Sequence, residues 1–320
     1  MNICTYFNYN YLPKFLVLYD SLNKLNNFNF YILALDQKVE NFFHQNKKEY
    51  NNITIISEKV IRNHYKELEV AINNRSTVEY FFTLSPFLPM YIFSNFKISK
   101  LVYLDCDLFF YSDPTEIIIN SHYSITIVRQ GNKDSRYGKL NVGFIIYNKD
   151  KFTLEKLKIW SNQCSDWCYD RISDEKYADQ KYLDDWLKFD DNVKVLDCIN
   201  YNVAPWNIEQ KHYFVENSKL YHKTGKPVIF IHFHGLSFMK KNFFTSGFSI
   251  YNKNLNKIIL KNIYYPYVNK LHEIEKRIAV KTSSKRSLLE NQSLVIKIQL
   301  LLKNLKKNVK ILIFKDFYSY

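Results

Sequence analysis

Glycine and proline are scarce, at 6 and 7 of 320 residues. That argues against a turn-dense all-β protein and against low-complexity linkers. No apolar run approaches the roughly 20 residues a membrane-crossing helix needs. The opening, Met1 to Tyr11, has no basic start and no long apolar stretch, so it does not read as a secretory signal. A cytoplasmic protein is the expectation. Cysteine is sparse and odd in number, at five, which argues against a disulfide framework in a chain of this size. Cys164 and Cys168 stand i, i+4 without partner ligands at a recognisable metal spacing, so reduced structural thiols are expected.

What the chain does have is aromatic bulk and positive charge. With 26 Tyr, 25 Phe and 47% hydrophobic residues, general disorder is excluded. The net charge is +14, and residues 270–320 supply +8 of it, from 12 Lys/Arg against 4 Asp/Glu. A basic tail suits an acidic partner, either an anionic membrane surface or nucleic acid. Residues 288–313 interleave Leu, Ile and Val with lysines at 297, 303, 306, 307 and 310. This reads equally as a membrane-surface helix or as a helix packed on the domain. Nucleic acid is disfavoured, because no base-reading or stacking motif accompanies the charge.

Elements alternate along residues 1–240. Asn2 to Phe7 predicts a strand, then a loop to Leu12, then a helix with Phe15, Leu18, Leu22 and Leu25 at helical spacing. Strands are expected at Phe30–Leu35, Ile53–Ile56, Leu101–Leu104, Ser124–Val128, Asn141–Tyr147, Val193–Leu196 and Val228–Ile231. Helices are expected near Glu40–Glu49, from Pro86 and Pro89, over Leu154–Cys168 and over Tyr177–Trp186. Strands apolar on both faces, alternating with helices, indicate an α/β domain with a mostly parallel sheet covered on both sides. Residues 241–320 read as a basic, helical C-terminal extension.

The most informative stretch is Lys100 to Phe110, KLVYLDCDLFF, which holds the only Asp-x-Asp of the chain. If strand geometry persists, Asp105 and Asp107 face the same way at one sheet edge. Two carboxylates that close repel unless something neutralises them, and a divalent cation held by oxygen ligands would do so. A solvated turn stopped by Ser112-Asp113-Pro114 is the plain alternative.

This segment resembles the DxD motif of GT-A glycosyltransferases, and other segments follow in the order of glycosyltransferase family 8, in a divergent bacterial branch. TYFNYNYLPKFLVLYDSL looks like the family's first strand, nucleotide loop and helix, which implies that Thr5, Asn8 and Tyr11 contact base and ribose. FYILALD ends at Asp36 as the second strand does, and KLVYLDCD matches the family's lysine, strand and DxD. The resemblance thus places Lys100, Asp105 and Cys106 at the donor as well. LNVGFIIYN, with Asn141 and Gly143, looks like the strand beside the donor sugar. YADQ carries the Asp179-Gln180 pair that lies near the reacting centre, and IHFHGL begins the family's metal-histidine motif at His232. The usual Lys-Pro-Trp continuation is replaced by Ser237-Phe238-Met239-Lys240, leaving Lys240 or Lys241 as substitutes for the diphosphate lysine and His234 as a rival ligand.

The resemblance implies a metal-dependent transferase moving sugar from a nucleotide sugar, with UDP as the expected nucleotide, to a glycan or lipid-linked glycan. Asp105, Asp107 and His232 would hold Mn²⁺ or Mg²⁺. Asp179, Gln180 and Asn141 are the candidates at the reacting centre. For Asp179 the residue-level alternative is a helix N-cap, for Asn141 a strand end, and for Asp184-Asp185 a solvated helix face. The basic loop from Arg129 to Lys139 reads as solvated more readily than as an acceptor contact. Trp206 reads as packed, with an acceptor platform as the alternative. A nucleotidyltransferase would want a glycine-rich loop after the first strand, and NYNYL has none. A binding module that keeps the fold without catalysis is the other competing class.

Overall fold

The computed structural model describes residues 1–217, 219–240, 243–282 and 317–319. Its first half is a run of strand–helix units: β1 (Asn2–Phe7), α1 (Leu12–Asn23), β2 (Asn29–Ala34), α2 (Gln37–Gln45) and β3 (Ile53–Ser57). Four short helices follow: α3 (Glu58–His64), α4 (Glu67–Asn74), α5 (Thr77–Thr83) and α6 (Phe87–Asn95). Only α6 is announced by its prolines. The start of α5 is fixed by a capping box, in which Ser76 and Glu79 each satisfy the other's backbone N–H.

The chain then lays down β4 (Lys100–Leu104), β5 (Leu108–Phe110), α7 (Thr115–Ile119), β6 (Ile125–Arg129), β7 (Leu140–Asn148), α8 (Lys151–Asp166) and β8 (Val193–Leu196). The seven-stranded sheet has the order β3-β2-β1-β4-β7-β6-β8. β7 runs antiparallel to both its neighbours, while the other pairings are parallel. Every residue from Leu140 to Tyr147 is buried. Along it Phe144 and Ile146 enter the core on one face, Ile145 and Tyr147 the core on the other. An unbroken apolar run is what a strand covered on both sides requires.

The remaining elements bend round one sheet edge. β9 (Tyr213–Glu216) and β10 (Lys219–His222) form a hairpin, and β11 (Phe230–His232) pairs antiparallel with β5. β12 (Ser237–Lys240) pairs with β13 (Phe243–Thr245), and β14 (Phe317–Ser319) pairs with β13 in turn. A short α9 (Lys257–Ile259) and one π turn lead into α10 (Tyr265–Thr282).

The boundary expected near residue 240 divides the sequence by charge. Beyond it, α10 sinks Tyr267, Val268, Leu271, Ile274 and Ile278 into the same core as α1 and β11. Tyr267 stacks on Phe233 at 3.7 Å, and Arg277 reaches Asp20 of α1 at 3.3 Å. Burying each such apolar side chain contributes about 1.5–3 kcal/mol, so this helix is a brace for the histidine-bearing segment. The amphipathic stretch 288–313 lies outside the described residues. Among the described residues no helix is long and apolar enough to cross a membrane. The five cysteines are free thiols, four of them buried.

Candidate functional site

The strand order reverses between β1 and β4, so the chain diverges there and leaves a crevice at the C-terminal strand ends. Two loops meet at that crevice: Asn8–Tyr11 after β1, and Asp105–Asp107 after β4. Strand geometry does not persist through the acidic pair. β4 ends at Leu104, and residues 105–107 form a turn, with the Asp105 N–H donating to Gly143 O at 3.0 Å.

What aims the carboxylates is the pairing of β5 with β11. It sets Leu108 opposite His232, and the Phe233 N–H donates to Asp107 O at 2.9 Å. His232 Nε2 thereby lies 3.0 Å from Asp107 Oδ1 and 3.9 Å from Asp105 Oδ2. Its Nδ1 meets Asn202 Oδ1 at 3.3 Å, and the Asn202 amide donates to Arg129 O. That partner fixes the ring and turns Nε2 toward the crevice. His234 is the third member: ligand atoms of Asp107, His232 and His234 lie within 4.8 Å of one another.

Space around this group is tightly drawn. A Cβ on Gly143 would stand 2.8 Å from Asn141 Oδ1, 2.9 Å from Asp105 Oδ2 and 3.2 Å from His232 Cε1. Only glycine fits beneath the site. Gly235 and Gly247 have positive φ and pack against each other, and a Cβ on Gly247 would meet His234 O at 2.2 Å. Trp206 is packed rather than presented as an exposed platform. Its ring lies 5.1 Å from His232 and 5.4 Å from His234, and its Nε1–H donates to Gln130 O at 2.6 Å.

The electrostatics follow from burial and proximity. Burial pushes the Asp105 carboxyl up to about 6, with Asp107 adding to the rise and His232 opposing it. Burial also works to raise Asp107, but His232, Lys14 and His234 together hold it far below the usual carboxylate range. Burial would depress His232, yet Asp107 and Asp105 carry it above the ordinary imidazole value. His234 is open to water at one side but walled by protein. Its lost hydration and the neighbouring His232 bring it down to about 4, so its imidazole is neutral at pH 7. The site's carboxylates are balanced by protons on its own side chains, which a cation would displace.

The nucleotide-loop residues divide into exposed and buried. Tyr11 is 45% exposed, with the Lys14 ammonium 4.8 Å from its ring centroid. Asn8 Oδ1 is a buried acceptor without a protein partner. Thr5 and Cys106, in contrast, are buried and share a 3.1 Å hydrogen bond that ties β1 to the acidic turn from below. Asp36 caps α2 by accepting from the Val39 N–H at 3.0 Å, and accepts from the Tyr9 N–H at 2.7 Å, which sets the loop's path. Lys100 is not brought to the crevice. It starts β4 at the far end, where its ammonium donates to Ile118 O, Ile119 O and Ser121 O at 2.8–3.0 Å. Four residues of strand separate it from Asp105, so the two Cα atoms lie roughly 16 Å apart.

Asn141, Asp179 and Gln180 form a second polar group beside the first. Both Asn141 amide hydrogens are occupied, by Gln130 Oε1 at 2.6 Å and Gln180 Oε1 at 3.0 Å, while its Oδ1 accepts from the Gly143 N–H at 2.9 Å. Gln180 Nε2 donates to Tyr137 O at 2.6 Å. The expected helix over Tyr177–Trp186 is a 3-10 helix from Lys181 to Lys188, and its N-cap is Gln180, so Asp179 does not cap it. Asp179 instead turns inward, 5% exposed, and accepts from Ser85 Oγ, which in turn meets the Tyr6 hydroxyl at 3.0 Å. Burial pushes it up to about 7. Asp184 is not a merely solvated face residue. It accepts from the Lys139 N–H at 2.6 Å and pairs with Lys181, pinning the basic loop. Within that loop Arg136 is taken by Asp134.

Several residues reach the site without being marked by a motif position of their own. Lys14 approaches Asp107 Oδ2 at 3.8 Å, and Tyr103 OH donates to Asp105 Oδ1 at 3.0 Å. Ser85 lies in a segment with no motif, and Asn202 opens the NVAPWN stretch, which gives it no role of its own. Among them only Tyr103 could be placed in advance, since it stands two residues before Asp105 on the same strand face.

No protein-family model matches the chain. It is 28% identical over 257 residues to the uncharacterized protein YfnD of Bacillus subtilis (strain 168), covering 75% of this chain and 78% of that one. Among solved structures it is similar to the galactosyltransferase LgtC in complex with donor and acceptor sugar analogues, with a TM-score of 0.52, 14% identity, and 85% and 96% of the two chains covered. It is also similar to the glycosyltransferase GlyE of Streptococcus pneumoniae TIGR4, with a TM-score of 0.52, 17% identity, and 86% and 63% covered. The fold is that of the GT-A glycosyltransferases.

The donor set fits a divalent cation. It offers carboxylate oxygen from Asp107, imidazole nitrogen from His232 and His234, and a second carboxylate at Asp105, around a floor that only Gly143 leaves open.

Proposed function

We propose that the protein is a divalent-cation-dependent glycosyltransferase that takes its sugar from a nucleotide sugar, UDP-linked in our reading. The observation that carries this is the Asp107–His232 approach at 3.0 Å, at the C-terminal strand edge beside the nucleotide loop of a GT-A fold. Asp105, Asp107 and His232, with His234 beside them, would hold Mn²⁺ or Mg²⁺. When bound, the cation neutralises charge that develops on the departing diphosphate. Asn8 and Tyr11 receive base and ribose, with Asp36 holding their loop in place. Asn141 and Gln180 shape the wall at the donor sugar.

Transfer proceeds with retention of anomeric configuration. Asp179 sits behind Ser85 and is 5% exposed, which disfavours it as a nucleophile. Same-face attack by the acceptor hydroxyl, its proton passing to the leaving phosphate as the sugar–phosphate bond breaks, would give retention. The acceptor is a glycan or lipid-linked glycan, in surface-polysaccharide or lipopolysaccharide synthesis. The basic C-terminus would bring the enzyme to the inner face of the membrane.

A thermal-shift panel of nucleotide sugars, with and without Mn²⁺, tests this reading, because a ligand that binds only the folded state raises its apparent stability. UDP-sugars are expected to raise the melting temperature only with Mn²⁺, and Asp107→Ala to abolish the shift. Slow metal-dependent release of UDP from the bound donor would distinguish an enzyme from a binding module. If no nucleotide sugar shifts the wild-type protein with any divalent metal, the proposal fails.

A further inference from the structure

We propose that Lys14 contacts the diphosphate; the side chains of the sequence candidates Lys240 and Lys241 lie outside the described residues. The inference rests on the nucleotide-sugar reading above and assigns a residue outside the histidine segment.

Three observations place it. First, Lys14 bridges the two halves of the crevice: its Nζ lies 4.8 Å from the Tyr11 ring centroid and 3.8 Å from Asp107 Oδ2. A nucleoside diphosphate seated with its base on the Asn8–Tyr11 loop and its terminal phosphate at Asp107 must pass over this ammonium. Second, its position is built rather than incidental. Pro13 opens α1, Phe15 and Leu16 anchor the helix in the core, and the Lys14 side chain keeps 14% exposure. Third, the two oxygens of Asp107 are divided, Oδ1 to His232 and Oδ2 to Lys14. A divalent ion that takes Asp107 removes the anion Lys14 faces and puts a like charge beside it. An incoming diphosphate relieves both effects. Lys14 should therefore oppose binding of the metal alone and favour metal and diphosphate together, a positive coupling between the two ligands.

The test uses Lys14→Met, which keeps the apolar stem, and Lys14→Arg, which keeps the charge. Calorimetric titrations compare Mn²⁺ alone, UDP with Mn²⁺, UMP with Mn²⁺, and inorganic pyrophosphate with Mn²⁺ as a base-free probe. For Lys14→Met, UDP and pyrophosphate should weaken by on the order of 10–100-fold, as for a lost hydrogen bond to a charged group. UMP should change far less, and Mn²⁺ alone should bind as well or better. Lys14→Arg should recover most of the UDP affinity. Unchanged UDP binding in Lys14→Met, or an equal loss for UDP and UMP, would overturn the assignment. Weakened binding of Mn²⁺ alone would make Lys14 a structural support of the metal site, and also overturns it. A wild-type protein that binds neither UDP nor pyrophosphate sinks the nucleotide-sugar reading itself, and Lys14 with it.

Discussion

Two polar clusters lie side by side at the crevice, and they are built on opposite principles. In one, Asn141, Gln130, Gln180 and Tyr137 hand each donor to an acceptor, and Asp179 is closed off behind Ser85. In the other, Asp105, Asp107, His232 and Lys14 are held together by charge, at distances from 3.0 to 3.9 Å, with the neutral His234 beside them. The first cluster is satisfied within the protein and gives rigidity. The second is balanced by protons and a lysine that an incoming ligand can displace. A buried polar network that is fully bonded specifies a shape. A group of like and unlike charges waiting for a counter-ion specifies a binding site.

The contrast can be tested from both sides. The largest effect should come from Asp179. Its carboxyl is pushed up to about 7 by burial, against an ordinary value of 3.8. An acid whose folded pKa is raised contributes stability below its unfolded pKa, and loses it as pH rises through the folded value. Wild-type stability should therefore fall, relative to Asp179→Asn, by roughly 2–4 kcal/mol between pH 4 and pH 8. Urea denaturation across that range would show it, and a flat difference would place the ionised carboxylate in a better-solvated setting.

Next in size is Asn141→Ala. It leaves the Gly143 N–H, the buried Gln130 amide oxygen and the half-buried Gln180 amide oxygen without this partner, at a cost of about 1–3 kcal/mol. Nucleotide affinity should suffer less than it does in Asp107→Ala, which removes a carboxylate of the charged cluster itself. If Asn141→Ala kept full stability and lost the donor, the two clusters would have to exchange roles. The smallest effect belongs to Lys100→Met. It removes a cation from three carbonyls at the end of α7, for about 0.3–1 kcal/mol. UDP titration should register no change, because the residue lies at the far end of β4.

Legibility in the sequence followed the range of the interactions. The seven strands of the main sheet were readable to within a residue or two, because a two-sided core forces runs such as NVGFIIY and FYILAL, whereas the short strands β5, β9, β10 and β12 to β14 were not. The acidic pair was readable as a motif, and its geometry was not. Strand periodicity pointed both carboxylates one way, whereas a turn and the β5·β11 pairing do the aiming. Lys100 fitted a motif by spacing and went elsewhere in space, because α7 ends beside it and presents the carbonyls of Ile118, Ile119 and Ser121 to its ammonium. The helix expected at Tyr177 failed for a local reason. Ala178 takes a positive φ of 45°, which turns Asp179 into the core before the 3-10 helix starts.

From its sequence alone, this chain determined the α/β alternation, the buried strands and the acidic turn that follows one of them. Those features depend on residues close together along the chain, where side-chain periodicity and hydrophobicity act directly. Only the tertiary structure decided that His232 meets Asp107, that Lys14 stands between Tyr11 and the acidic turn, and that α10 braces the histidine segment from behind. Each joins residues far apart in sequence. Such contacts exist only once the sheet and its cores have closed around them.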